Sequence, residues 1–149
     1  MLLHGPPGHP VHPPLTDVAI GAYTVAVALG ILGALGVSED AMGKAMWLAL
    51  LVGLVGGVLA ALTGLAELLR MERGTDTYRT GVLHGAVMAT GTVLFLLAAL
   101  LQYDGFHDGR VTTGGLVLTV LGYVALTAGG FLGGSLVFKN GMRVEKGEP

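Results

Sequence analysis

Four long apolar runs limit what this chain can fold into. They cover residues 15–35, 46–69, 80–101 and 112–138. Each holds about twenty residues or more, and a helix rising about 1.5 Å per residue then crosses a ~30 Å hydrocarbon core. Lipid offers the backbone no hydrogen-bonding partner, so such runs fold as helices. Nearly every residue able to do chemistry lies between the runs or at their ends, and function is to be sought there.

Composition points the same way. Of 149 residues, 52% are hydrophobic and 12% charged, and the mean hydropathy is +0.72. A soluble domain carries about 25% charged residues. The sequence therefore divides into a Pro/His-rich cap over 1–14, a four-helix transmembrane domain over 15–138 and a polar tail over 139–149. Residues 1–14 do not read as a signal peptide, since no Lys or Arg precedes the apolar run. A net charge of −2 argues against a nucleic-acid partner. The absence of cysteine removes disulfides, thiolate zinc sites, c-type haem and any iron–sulfur cluster held by this chain.

The local signals set the ends of the spans. Pro13 and Pro14 open the first helix, where a missing N–H costs nothing. The stretch 36–40 closes it, and Lys44 and Trp47 mark the start of the second at an interface. Arg70 to Gly74 end the second, and Asp76 or Thr77 caps the third. Asp104-Gly105 and Asp108-Gly109 read as turns. Short connections favour an all-α, antiparallel four-helix bundle. Both termini then share one side, side A. It carries Arg70, Arg73, Arg79, Lys139, Arg143 and Lys146, whereas side B carries Lys44 and Arg110, which accounts for all eight Lys and Arg. The positive-inside rule places side A in the cytoplasm. Trp47 and Tyr103 fit an aromatic belt on side B.

Small residues indicate how the helices meet. Ala22, Ala26 and Gly30 recur in span one, Gly53, Gly57 and Ala61 in span two, and Gly81, Gly85 and Ala89 in span three. Gly115, Gly122 and Gly129 recur in span four. Close backbone packing is the plain reading of such stripes. A groove for a flat cofactor or lipid, or a face for a homo-oligomer, is the other. No internal repeat is evident in the residues themselves.

Up-down topology gathers His9, His12, Asp17, Glu67, Arg70, Arg79 and His84 at side A. His84 lies about one turn into its span, where an ionisable residue faces the bundle interior and has a partner. A carboxylate such as Asp17 or Glu67 beside an imidazole fixes its tautomer and raises its basicity. Polyproline II before Pro13 would present His9 and His12 on one side, because it repeats about every three residues. His9, His12 and His84 are thus candidate ligands, for haem b or for a divalent metal, with Asp17 and Glu67 orienting them. The same residues also suit a structural hydrogen-bonded staple or a proton-handling group. His107, between Asp104 and Asp108, is a weaker candidate for a hydrated ion on side B. No Ser–His–Asp order, phosphate loop or HExxH is present, so an enzyme is not the expectation.

The stretch from Gly8-His9-Pro10-Val11-His12-Pro13-Pro14 to Asp17 and Ala19-Ile20-Gly21 resembles the opening of a bacterial four-span family, domain of unknown function 2231. Leu62-Thr63-Gly64-Leu65-Ala66-Glu67, His84 and Gly133-Gly134-Ser135-Leu136-Val137-Phe138-Lys139-Asn140-Gly141-Met142-Arg143-Val144 follow in the order the family shows. Val18-Ala19 departs from it, where relatives often carry Phe-Pro. The resemblance implies a bacterial inner-membrane protein. Some relatives are fused to Rieske-type domains, which implies redox membrane proteins as partners. Three functions follow as expectations: an electron-transfer-associated or accessory subunit with a histidine site, a non-catalytic membrane scaffold, and a small proton-linked transporter.

Overall fold

The computed structural model describes residues 11–142. It contains α1 (His12–Ala34), α2 (Glu39–Leu68), α3 (Asp76–Asp108) and α4 (Thr113–Phe138). All four are long and apolar enough to cross a membrane. The connections 35–38, 69–75 and 109–112 are short, so successive helices run antiparallel. α1 packs along α2 and α3 along α4; α2 meets α3, and α1 meets α4 more lightly. The expected all-α, four-span bundle is the fold observed.

The ends differ from the local reading in four places. α1 begins at His12 with the prolines in its first turn, so His12 is helical and not part of an extended segment. A residue before proline is biased away from helix, but here the ring of His12 is tied to α2. α2 begins at Glu39, where Glu39 and Asp40 suit the positive end of the helix, and Asp40 pairs with Lys44 at 2.5 Å. Thr75, and not Asp76 or Thr77, caps α3, accepting from the Tyr78 N–H at 3.1 Å. α3 also continues through Asp104-Gly105 to Asp108 and stops at Gly109, whose φ is +66°. Gly105 serves contact instead of a turn: a Cβ there would lie 2.5 Å from the Arg110 carbonyl oxygen.

Many large apolar side chains point outward, and much of the buried face is small. Val25, Val55, Leu100, Val124 and Phe131 are exposed, whereas Ala19, Ala26, Ala60, Ala98 and Ala99 are buried. That distribution suits a lipid surround, where helices associate through close packing. The stripes in α1 and α4 hold, with Ala26, Gly30, Gly115, Gly122 and Gly129 buried. In α2 the buried face is Gly53, Gly56 and Ala60, and Ala61 is exposed. In α3 Gly81 is buried but Gly85 and Ala89 are exposed.

The buried positions reveal an internal repeat. Ala19, Tyr23, Ala26, Gly30 and Gly33 line the inner face of α1. Gly91, Phe95, Ala98, Gln102 and Gly105 line that of α3 at a constant offset along the chain. In α2, Met46, Leu50, Gly53, Ala60 and Glu67 correspond in the same way to Gly115, Thr119, Gly122, Gly129 and Leu136 in α4. The α1–α2 and α3–α4 hairpins are therefore equivalent units. Both enter from side A, so the pseudo-two-fold relating them runs along the bundle, as in parallel membrane repeats. Tyr23 and Phe95, a corresponding pair, stack on one another at mid-bundle with ring centroids 3.5 Å apart.

Candidate functional site

Side A is where the repeat carries chemistry. His12 and His84 hold corresponding positions, each three turns before the stacked ring of its own helix. The His12 Nδ1 lies 2.9 Å from the Ala60 carbonyl oxygen and 3.1 Å from Thr63 Oγ1, both on α2. The His84 Nδ1 lies 2.8 Å from the Gly129 carbonyl oxygen on α4. Ala60 and Gly129 correspond as well. Each histidine thus ties the first helix of its hairpin to the second.

The tautomer follows from the partner. A carbonyl oxygen only accepts, so in each case Nδ1–H must donate. In a neutral ring this leaves Nε2 with its lone pair, the nitrogen available to a metal. The hydroxyl of Thr63 donates to the Ala60 carbonyl at 2.9 Å, so its oxygen lone pairs face the His12 N–H. Glycine makes room for both rings. A Cβ on Gly64 would stand 2.9 Å from His12 Cε1, and one on Gly133 would stand 3.2 Å from His84 Cε1. Gly64 and Gly133 again correspond.

Glu67 is buried near the end of α2. His12, His84 and Glu67 all lie toward side A, each histidine bonded within its own hairpin. The two halves differ in polarity there. Thr63 and Glu67 accompany His12, whereas the corresponding positions in α4 are Leu132 and Leu136. Arg70 and Lys139, also corresponding, follow the ends of α2 and α4 on the same side.

Other candidates are placed differently. His9 lies outside the described residues. Asp17 is exposed. Five positions after His12 is roughly 140° around the helix, so it is not brought to the imidazole. Met88, one turn beyond His84 on α3, serves packing, with its sulfur against Gly129. Among the described residues no group of three or more His, Asp or Glu is placed to hold a metal ion. Thr63 carries no signal of its own in the sequence beyond its place inside the Leu62–Glu67 element.

Side B is built for closure. Gln102 is fully buried; its Nε2 donates to the Arg110 carbonyl at 2.8 Å, and its Oε1 accepts from the Thr112 N–H at 2.9 Å. Trp47 donates to the Ala99 carbonyl at 3.0 Å and packs on Phe106 and Tyr103. His107 sits edge-on to Tyr103 and Phe106.

No curated protein matches the chain, and no solved structure does. A family described as "Predicted membrane protein (DUF2231)" matches residues 8–146. That span holds all four helices and both histidines of the repeat, and the chain belongs to this family of membrane proteins.

Proposed function

We propose that the protein is a non-enzymatic, electron-transfer-associated subunit of a bacterial inner membrane, with a histidine site at side A that holds haem b. The observation that carries this reading is the free Nε2 on His12 and on His84, each fixed by an Nδ1–H bond to a backbone carbonyl. Fixing one ring nitrogen orients the other toward a ligand and raises its basicity. His9 is the remaining candidate ligand, and Glu67 is the carboxylate that tunes the site. A divalent metal on the same histidines is the variant of this reading that dispenses with the porphyrin. Arg70, Arg73, Arg79 and Lys139 at side A favour a cytoplasmic placement of both termini. Iron–sulfur redox proteins are the proposed partners.

Purification from membranes of haem-supplied cells tests the reading. The expected result is a Soret band, sharpened on reduction, with iron in stoichiometric amount. A pure, folded protein with neither haem nor bound metal would refute it.

The second reading is a membrane scaffold, and the same two hydrogen bonds favour it, because each joins two helices. His84→Asn separates the two. The asparagine amide reproduces the Nδ1–H donor but offers nothing in place of Nε2. The scaffold reading expects this variant to match the wild type in every respect. The ligand reading expects an unchanged fold and a lost ligand.

A further inference from the structure

We propose that an anionic phospholipid docks on the outer face of α4, with one acyl chain in a groove there and its headgroup at Lys139. The site is separate from the histidines of side A and does not depend on what they hold.

The groove holds about 580 Å³ and is lined by Tyr123, Val124, Thr127, Ala128, Phe131 and Leu132. All six belong to α4, so it opens to the surrounding lipid and not to the bundle core. Phe131, 78% exposed, forms one wall. Gly130 beside it has nothing within 4 Å of the place a Cβ would take. The internal repeat shows what hollows this face: Ala128 and Gly130 stand where α2 carries the bulkier Leu59 and Ala61. The polar groups of the groove are engaged within the protein. Thr127 Oγ1 donates to the Tyr123 carbonyl at 2.9 Å, and the Tyr123 hydroxyl lies 3.2 Å from Thr24 Oγ1 on α1. What remains is an apolar surface that suits a hydrocarbon chain.

Charge selects the headgroup. Lys139 follows Leu132 by seven residues and Ala128 by eleven, which returns it to their face of the helix. The backbone there is still helical, and the Lys139 N–H donates to the Ser135 carbonyl at 3.0 Å. At about 1.5 Å per residue the groove runs from roughly 10 Å to roughly 24 Å below Lys139. A bilayer measures about 20–22 Å from its surface to its midplane, so a chain hanging from a headgroup at Lys139 reaches the groove. Lys139 is exposed and forms no ion pair among the described residues, whereas Lys44, Arg79 and Arg110 do. Asn140 donates to Thr77 Oγ1 at 3.0 Å, which sets this end of α4 beside the first turn of α3. Arg79 adds a second cation there against the one carboxylate of Asp76. An acidic headgroup meets such a rim better than a zwitterionic one. A second copy of the chain fits less well, because an isologous pair through α4 would bring Lys139 toward its own copy.

The test is native mass spectrometry of the delipidated full-length chain, offered phosphatidylglycerol or phosphatidylethanolamine with identical acyl chains. Wild type is expected to retain one phosphatidylglycerol, favoured about five-fold over phosphatidylethanolamine. Lys139→Gln should abolish that preference. Ala128→Leu, which installs the side chain of the equivalent α2 position, should lower retention of both lipids. Both positions are exposed, and thermal melts within a few degrees of wild type establish that the fold is intact. A variant that melts early is replaced by Lys139→Ala or Ala128→Val. Equal retention of the two lipids by wild type, a preference that survives Lys139→Gln, or retention that Ala128→Leu leaves unchanged overturns the proposal. So does a two-copy species that Ala128→Leu dissociates, which would give the groove to a second copy of the chain.

Discussion

Tyr23 lies flat against Phe95, with ring centroids 3.5 Å apart and planes within 6°. The two residues are equivalent in the repeat, so this contact joins the hairpins across their shared axis. Each ring rests on a glycine of its own hairpin, Tyr23 on Gly53 and Phe95 on Gly122. Close packing of this kind must hold the bundle together where apolar burial contributes little. One difference breaks the symmetry: the Tyr23 hydroxyl is buried and has no hydrogen-bond partner among the described residues.

Tyr23→Phe should therefore be neutral or stabilising, by up to about 1 kcal/mol, because it removes an unsatisfied buried hydroxyl and keeps the stack. Tyr23→Ala should cost about 3–5 kcal/mol by leaving a cavity. Unfolding in mixed detergent reads both. A Tyr23→Phe variant clearly less stable than wild type would show that the hydroxyl has a partner.

The glycine seats should respond in parallel. A Cβ would meet the Tyr23 ring at 2.5 Å on Gly53 and the Phe95 ring at 2.9 Å on Gly122. Gly53→Ala and Gly122→Ala should each destabilise by about 1–3 kcal/mol. Gly130→Ala, with nothing within 4 Å of its Cβ, should stay within about 0.5 kcal/mol of wild type. Equal loss at all three positions in thermal melts would remove the repeat as the organising feature of the core.

At the opposite end, Gln102→Leu should destabilise by about 2–3 kcal/mol. It leaves the Thr112 N–H without its acceptor and removes the bond to the Arg110 carbonyl. Faster amide exchange confined to the connection 109–112 is the expected signature. Exchange unchanged there would mean that Gln102 only fills space.

Much of this arrangement is legible in the sequence. Hydropathy gives the four spans, and short connections give the up-down order that puts His12, Glu67 and His84 toward the same side of the bundle. Asp17 fails because sequence proximity to His12 says nothing of helix face. The α2 stripe slips because spacing by fours drifts around the helix, whereas Gly53, Gly56 and Ala60 follow its true period. Asp104-Gly105 misleads because a glycine chosen for close approach to a backbone looks like one chosen for a turn. The repeat is the largest omission. Its halves share few residues, among them His12 with His84, Gly33 with Gly105, Gly53 with Gly122 and Gly64 with Gly133. What recurs is smallness at equivalent positions, and lipid-facing residues are free to differ.

His12 and His84 are each locked through Nδ1 to a carbonyl on the second helix of their own hairpin. Nitrogen-15 NMR of histidine-labelled protein in lipid nanodiscs, before and after one equivalent of ferric haemin, tests this arrangement most directly. The expected result is a proton on Nδ1 of both His12 and His84 in the neutral rings, with haemin broadening a signal of this pair while His107 is untouched. A proton on Nε2 of either ring would overturn the bonding through Nδ1, and signals unmoved by haemin at both His12 and His84 would overturn the haem reading.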